Sequence, residues 1–129
     1  MKKREEIQTK IGLEIHVQLT RLKTKLFCSC SSDYRNSEPN VIICPICMGF
    51  PGTLPVVNKE AMKFAMLIGL ALECEISKKM LFFRKNYFYP DLAKNFQITQ
   101  YDKAGGIAIA NNGTIVLKSG DKIRIRRIQ

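Results

Sequence analysis

The stretch GIAIANNGTIVLKSGDKIRIRRI, Gly106 to Ile128, decides the class of fold. Ile123 and Ile125 alternate with Arg124 and Arg126, the two-residue period of a strand with one packed face and one wet face. GIAIA and TIVLK flank Asn111-Asn112-Gly113, residue types that tolerate positive φ, so a hairpin turn is expected there. Ser119-Gly120-Asp121 then turns the chain again into KIRIRRI. Upstream, KMLFFRKNYFY is stopped by Pro90, and NFQITQYD ends before Gly105-Gly106, which adds two short strands. Strands joined by tight turns pair antiparallel, so the expected class is α+β with a mainly antiparallel sheet.

Further toward the N-terminus, Asn58 is a good N-cap. Behind it Ala61, Phe64, Ala65, Ile68, Ala71 and Leu72 recur at helical spacing, and Met62, Met66, Leu67 and Leu70 widen the apolar stripe. The pattern predicts one helix over about 58–74, buried on more than one side, with Gly69 allowing close packing and Cys74 serving as a core thiol. The stretch IGLEIHVQL reads as a strand with Ile11, Leu13, Ile15, Val17 and Leu19 on one face and Gly12, Glu14, His16 and Gln18 on the other. Between these elements, 24–55 is rich in Cys, Ser, Pro and Gly and reads as turns held by something other than a core. KIRIRRI runs to the last residues, so 1–129 is expected to be a single incomplete domain.

The composition, 46% hydrophobic and 25% charged over 129 residues, is that of a globular chain rather than a disordered tail. After the charged opening MKKREEIQTK, Glu14 and His16 interrupt the apolar run that a secretory signal needs. The longest apolar stretch, Ala65 to Leu72, falls far short of the about 20 residues of a membrane span. A cytoplasmic protein is expected. Lys and Arg number 21 against 11 Asp and Glu, a net charge of +10 that suits a polyanionic partner as well as it suits a solvated basic surface.

Cys28, Cys30, Cys44 and Cys47 form a C-x-C pair and a C-x-x-C pair. Without a secretory signal, two close pairs point to structural Zn2+ more than to disulfides, with Pro45 stiffening the second turn and Gly49 and Gly52 freeing it. The segment 28–47 is thus an expected zinc knuckle; a redox pair at Cys44 and Cys47, or free thiols, are the alternatives. Four thiolates close the coordination sphere, which makes such a site structural rather than catalytic. Glu14 and His16, two residues apart on one strand face, have the spacing to share a metal or bracket a phosphate, although a solvated pair is the commoner outcome. The stretch FFRKNYFYPDLAKNFQITQYD mixes Arg84, Lys85 and Lys94 with Tyr87, Phe88, Tyr89 and Phe96, which suits phosphates and base stacking and equally suits an aromatic strand under snorkelling lysines.

Three stretches in order, IGLEIHVQL, PGTLPVVNKEA and RKNYFYPDLAKNFQITQYD, resemble the B subunit of the aspartyl/glutamyl-tRNA(Asn/Gln) amidotransferases, and the resemblance runs from Ile11 to Ile128. The E subunit of the archaeal glutamyl-tRNA amidotransferases, which shares this domain type, is the related alternative. The resemblance implies a cradle domain, an antiparallel sheet related to glutamine synthetase. It implies that ATP and Mg2+ phosphorylate the carboxylate of Glu on tRNA(Gln) or Asp on tRNA(Asn), and that ammonia then displaces the phosphate. The implied partners are the amidase (A) subunit, the small (C) subunit and the misacylated tRNA.

Carried over by position, Glu14 and His16 become Mg2+ ligands. Lys85, Lys94, Tyr89 and Asp91 fall in the catalytic block, and Arg84 and Tyr87 in nucleotide or tRNA binding. Only some members of this family carry the four cysteines, so Cys28, Cys30, Cys44 and Cys47 indicate a zinc-bearing branch. The family continues beyond an arginine-bearing strand into an acidic Glu-Glu-Asp motif and a helical part that grips tRNA. The 129-residue chain alone is therefore expected to lack amidotransferase activity and to bind tRNA weakly. A non-catalytic zinc-bearing nucleic-acid-binding module is the rival from another class.

Overall fold

The computed structural model describes residues 8–129, and the charged opening at 1–7 lies outside them. In order the chain forms α1 (Pro45–Met48), α2 (Lys59–Ala71), β1 (Glu75–Ile76), β2 (Phe83–Asn86), β3 (Phe96–Thr99), a 3-10 turn (Asp102–Ala104), β4 (Ala110–Val116) and β5 (Lys122–Ile128). The strands make two antiparallel sheets, one of three strands ordered β1-β4-β5 and one made of the β2-β3 hairpin. The mixed class with antiparallel pairing is as the sequence predicts.

The turns are only half as predicted. Leu117 N–H donates to Asp121 O at 2.8 Å and Gly120 takes φ 89°, so the Ser119-Gly120-Asp121 turn joins β4 to β5. Asn111-Asn112-Gly113, read as a hairpin turn, lies inside β4 instead. The register runs from Ala110↔Ile128 to Val116↔Lys122 without a slip, although Asn112 stands at φ 56°. The glycine there serves a crossing rather than a turn. A Cβ on Gly113 would strike Cys74 Sγ and stand 2.7 Å from Leu72 O, and the neighbouring Thr114 N–H donates to that same carbonyl at 2.8 Å. Turn-type residues in a strand thus mark the place where the chain leaving α2 lies against β4.

Asn58 caps α2, accepting from Glu60 N–H at 2.9 Å and Ala61 N–H at 3.2 Å. The helix stops at Ala71, short of the predicted 74, because Glu73 takes φ 54° and Cys74 N–H turns back to Gly69 O at 2.8 Å. One face packs: Met62, Ala65 and Met66 meet Cys74, Ile109 and Ala110, joined by Leu72, Ile76, Ile125 and Ile128. Gly69 permits the approach, since a Cβ there would stand 2.8 Å from Ile76 Cδ1 and 3.2 Å from Ala110 Cβ. Leu67 and Leu70 remain 59% and 61% exposed, which corrects the expectation of burial on more than one side. The stripe is wide, but a single sheet covers only the face turned toward it.

IGLEIHVQL departs most from its reading. It forms neither strand nor helix, and Ile11, Leu13 and Ile15 are 86%, 83% and 81% exposed. Alternation prescribes two faces, but a strand also needs a neighbour for its backbone N–H and C=O groups, and among the described residues none pairs with it. In 24–55 the expected turns are present, tied by a bridge between Thr24 and Ser31 and by Val56 N–H to Phe27 O at 3.0 Å. No described helix is long and apolar enough to cross a membrane.

Candidate functional site

The two cysteine pairs meet. One candidate ligand atom from each of Cys28, Cys30, Cys44 and Cys47 lies within 4.8 Å of all the others. Local sequence sets this up. Pro45 opens α1 directly after Cys44, and Gly49 closes it in the left-handed region at φ 71°, so Cys44 and Cys47 stand on one tight turn. Cys44 N–H donates to Cys47 Sγ at 3.1 Å. On the other side Lys25 N–H donates to Cys30 O at 2.9 Å and closes the first pair's turn. From a second direction the Lys25 ammonium reaches Cys47 Sγ at 3.7 Å and Ile42 O at 2.6 Å.

The thiols divide their protons unevenly. The Cys47 backbone N–H, with smaller help from the Cys30 thiol and the Ile46 N–H, brings Cys44 down from 9.0 to about 7. Cys30, whose thiol donates a hydrogen bond to Cys44 and is partly desolvated, is pushed up to about 12. Burial raises Cys28. A tetrahedral ion with metal–sulfur bonds of about 2.3 Å sets its sulfurs about 3.8 Å apart, so the four residues fit such an ion after small side-chain rotations. The arrangement can hold a metal with a closed thiolate shell, the chemistry of a structural site. Cys74 stands apart in the core, as predicted, where burial raises its thiol.

Strand alternation divides the aromatic basic stretch. In the β2-β3 hairpin Arg84 pairs with Ile98, and Lys85 with Gln97. On one face Arg84 and Lys94 both lie over the Phe96 ring, at 4.9 Å and 5.0 Å from its centroid. A cavity of about 170 Å3 there is shared with Lys25, Cys28 and Cys47, so these two cations border the cysteine centre. Elsewhere on the hairpin Lys85 lies 5.1 Å from the Tyr87 ring and 5.9 Å from the Tyr101 ring. Tyr87 leans on Tyr89 with centroids 6.5 Å apart, and Tyr89 and Asp91 are exposed in the loop that Tyr87 N–H closes onto Asn95 O.

Sequence reasoning passed over what lies beyond Tyr101. Arg127 also approaches that ring, at 5.9 Å, and pairs with Asp102 at 2.6 Å, while Arg126 reaches Asp102 at 3.1 Å. Partial burial would raise the Asp102 carboxyl, but the Lys103 N–H and the Arg127 and Arg126 guanidiniums outweigh it and hold the group below 3.8. Asp102, Arg126 and Arg127 line an open cleft of about 420 Å3 with Glu75, Asn112 and Arg124. Their signal was present in the Tyr-Asp ending of NFQITQYD and in the arginines of KIRIRRI, but no spacing rule joins the two. Glu14 and His16 are exposed in the IGLEIHVQL segment, and among the described residues no third metal-capable side chain stands with them.

Residues 9–129 match the family described as "GatB/GatE catalytic domain", and the chain belongs to that family. It is 56% identical over 119 residues to the B subunit of the aspartyl/glutamyl-tRNA(Asn/Gln) amidotransferase of Sulfurisphaera tokodaii, covering 92% of this chain and 25% of that protein. The B subunits of the Saccharolobus solfataricus and Methanosarcina barkeri enzymes are 58% and 59% identical over 92% and 87% of the chain. The chain spans about a quarter of the length of these relatives.

Proposed function

We propose that this chain forms part of the catalytic domain of a tRNA-dependent amidotransferase, in the position that the B subunit occupies. The identity of 55% or more to several B subunits, spread over nearly the whole chain, carries this reading. Because these relatives bear the B-subunit name, that reading is preferred to the E subunit. The whole protein would use ATP and Mg2+ to activate the carboxylate of Glu on tRNA(Gln) or Asp on tRNA(Asn) and would pass it to ammonia, working with the amidase (A) subunit, the small (C) subunit and the tRNA in the cytoplasm.

Within that reading the sheets belong to a glutamine-synthetase-like cradle, and 1–129 is one incomplete domain. Glu14 and His16 are Mg2+ ligands by position. Among the described residues no third metal-capable side chain stands with them, and the remaining coordination positions would fall to water and phosphate oxygens. Lys85, Lys94, Tyr89 and Asp91 form the catalytic block, and Arg84 and Tyr87 contact nucleotide or tRNA. The cations suit this work: Lys85 is held near the Tyr87 and Tyr101 rings, and Arg84 and Lys94 near the Phe96 ring. Cys28, Cys30, Cys44 and Cys47 hold Zn2+, which supplies order to a segment poor in core residues.

The test is amidation of misacylated tRNA by the whole protein with its partners. No product from the unaltered whole protein refutes the reading; Glu14→Ala combined with His16→Ala abolishes ATP-dependent product while tRNA binding persists, and unchanged activity in that variant refutes the ligand assignment. The 129-residue chain alone gives no product, and product from it refutes that part.

A further inference from the structure

We propose that Lys25 is the positioning residue of the cysteine centre, tying its two cysteine pairs together through one side chain and offsetting the charge of the bound thiolates. This rests on the reading of the four cysteines as a zinc site. The main chain of Lys25 belongs to the first pair's turn, because its N–H donates to Cys30 O at 2.9 Å. Its ammonium belongs to the second pair's side, donating to Ile42 O at 2.6 Å and to Cys47 Sγ at 3.7 Å. The residue therefore spans the gap between Cys30 and Cys44, thirteen intervening residues in sequence, that the sequence itself leaves unbridged.

Charge gives the contact its purpose. Zn2+ with four thiolates carries a net charge of about −2. Lys25 is half-buried, where an unbalanced anion is costly and a cation against one sulfur is correspondingly stabilising. Cys47 Sγ then accepts from two donors, the Cys44 N–H at 3.1 Å and the Lys25 ammonium, which fixes its lone pairs and leaves the remaining direction for the metal. Arg84 and Lys94 line the same cavity, but they lie over the Phe96 ring, and among the described residues Lys25 is the cation hydrogen-bonded to a cysteine sulfur. An ammonium suits the place better than a guanidinium, since a compact point donor serves a carbonyl and a sulfur at once while a planar fork is shaped for paired oxygens.

The experiment measures zinc affinity of the full chain by competition with a chromogenic chelator, together with the thiolate-to-metal charge-transfer bands of the Co2+-loaded form. Lys25→Met is expected to weaken zinc binding by about 10- to 100-fold. It also moves the cobalt charge-transfer bands to lower energy, because Cys47 loses a hydrogen-bond donor and becomes more electron-rich. Lys25→Gln, which keeps a neutral donor, shows the same changes to a smaller degree and preserves the test if the Met variant does not fold. Affinity and spectrum unchanged in either folded variant overturn the role of Lys25. Wild-type chain that binds less than about a tenth of an equivalent of zinc overturns the metal reading beneath it, a result recognisable before any variant is compared.

Discussion

Gly49 sits against Phe96: a Cβ on Gly49 would stand 3.2 Å from Phe96 Cζ and 3.1 Å from Lys94 Cδ. The turn that carries the second cysteine pair therefore touches the strand and loop that carry the aromatic basic stretch. Gly49 is also left-handed at φ 71°, as is Gly52 at φ 80°, but nothing lies within 4 Å of a Cβ on Gly52. Gly52→Ala is expected to cost only the left-handed strain, about 1 kcal/mol, while Gly49→Ala costs about 2 to 3 kcal/mol because crowding adds to the strain. Urea unfolding of the metal-loaded chain separates the two, and equal costs would show that the contact is slack.

Gly69 and Gly113, both buried, obey different rules. At Gly113 a Cβ would meet backbone, the Leu72 carbonyl, as well as Cys74. Gly113→Ala is expected to destabilise by about 1 to 3 kcal/mol. At Gly69 the obstacle at 2.8 Å is the tip of the Ile76 side chain, which can turn away, and alanine raises helix propensity. Gly69→Ala is expected to stay within about 1 kcal/mol of the parent. Thermal melts of the two variants check the order.

Removing the metal is expected to loosen 24–55 before the rest, because that segment lacks a core of its own. Hydrogen exchange with and without chelator reads this directly: protection is lost around Lys25, Cys30 and Met48 while the β4-β5 pairing between Ala110 and Ile128 persists. Simultaneous loss throughout would mean that the knuckle and sheet unfold as one unit.

In the metal-free chain the thiols should react in a fixed order. Cys44, lowered to about 7, is half thiolate near neutral pH, whereas Cys30, near 12, keeps its proton and buried Cys74 is raised as well. Brief iodoacetamide treatment followed by peptide mass mapping is expected to label Cys44 first. Labelling of Cys30 ahead of Cys44 contradicts the hydrogen-bond pattern.

Asp102 sets an acid limit on the β5 end. Its carboxyl is depressed below 3.8, so its pairing with Arg127 and Arg126 is fully present above the unfolded value and is lost as pH falls through the lower folded value. The stability difference between the parent and Asp102→Asn is expected to be constant above about pH 5 and to shrink below about pH 4. Arg127→Met should return the Asp102 titration, followed by NMR, toward 3.8.

Much of the fold was legible locally. The Asn58 cap, the helical spacing behind it, the Gly120 turn and the strands around Phe83 and Phe96 each follow from a few adjacent residues, and each stands where expected. The four cysteines converge as their spacing implies. Asn111-Asn112-Gly113 misled because a glycine needed for a close crossing has the same appearance as one needed for a turn. The widened stripe of α2 misled at Leu67 and Leu70 because hydrophobicity records what can be buried, while the sheet alone determines what is.

Sequence by itself determined the period of each segment, the caps and turns, and the set of thiols able to hold a metal, since these depend on chemistry within a few residues of the chain. Tertiary structure decided which residues meet. It set Lys25 against Cys47, Gly49 against Phe96, and Arg127 against Asp102 and the Tyr101 ring, and it split Arg84 from Lys85 between environments. It also left IGLEIHVQL without a strand partner among the described residues, although its alternation is the most regular in the chain. The reason is that a strand, a cation beside a thiolate and a close crossing each require a second segment, and the identity of that segment is a property of the packed chain rather than of any stretch within it.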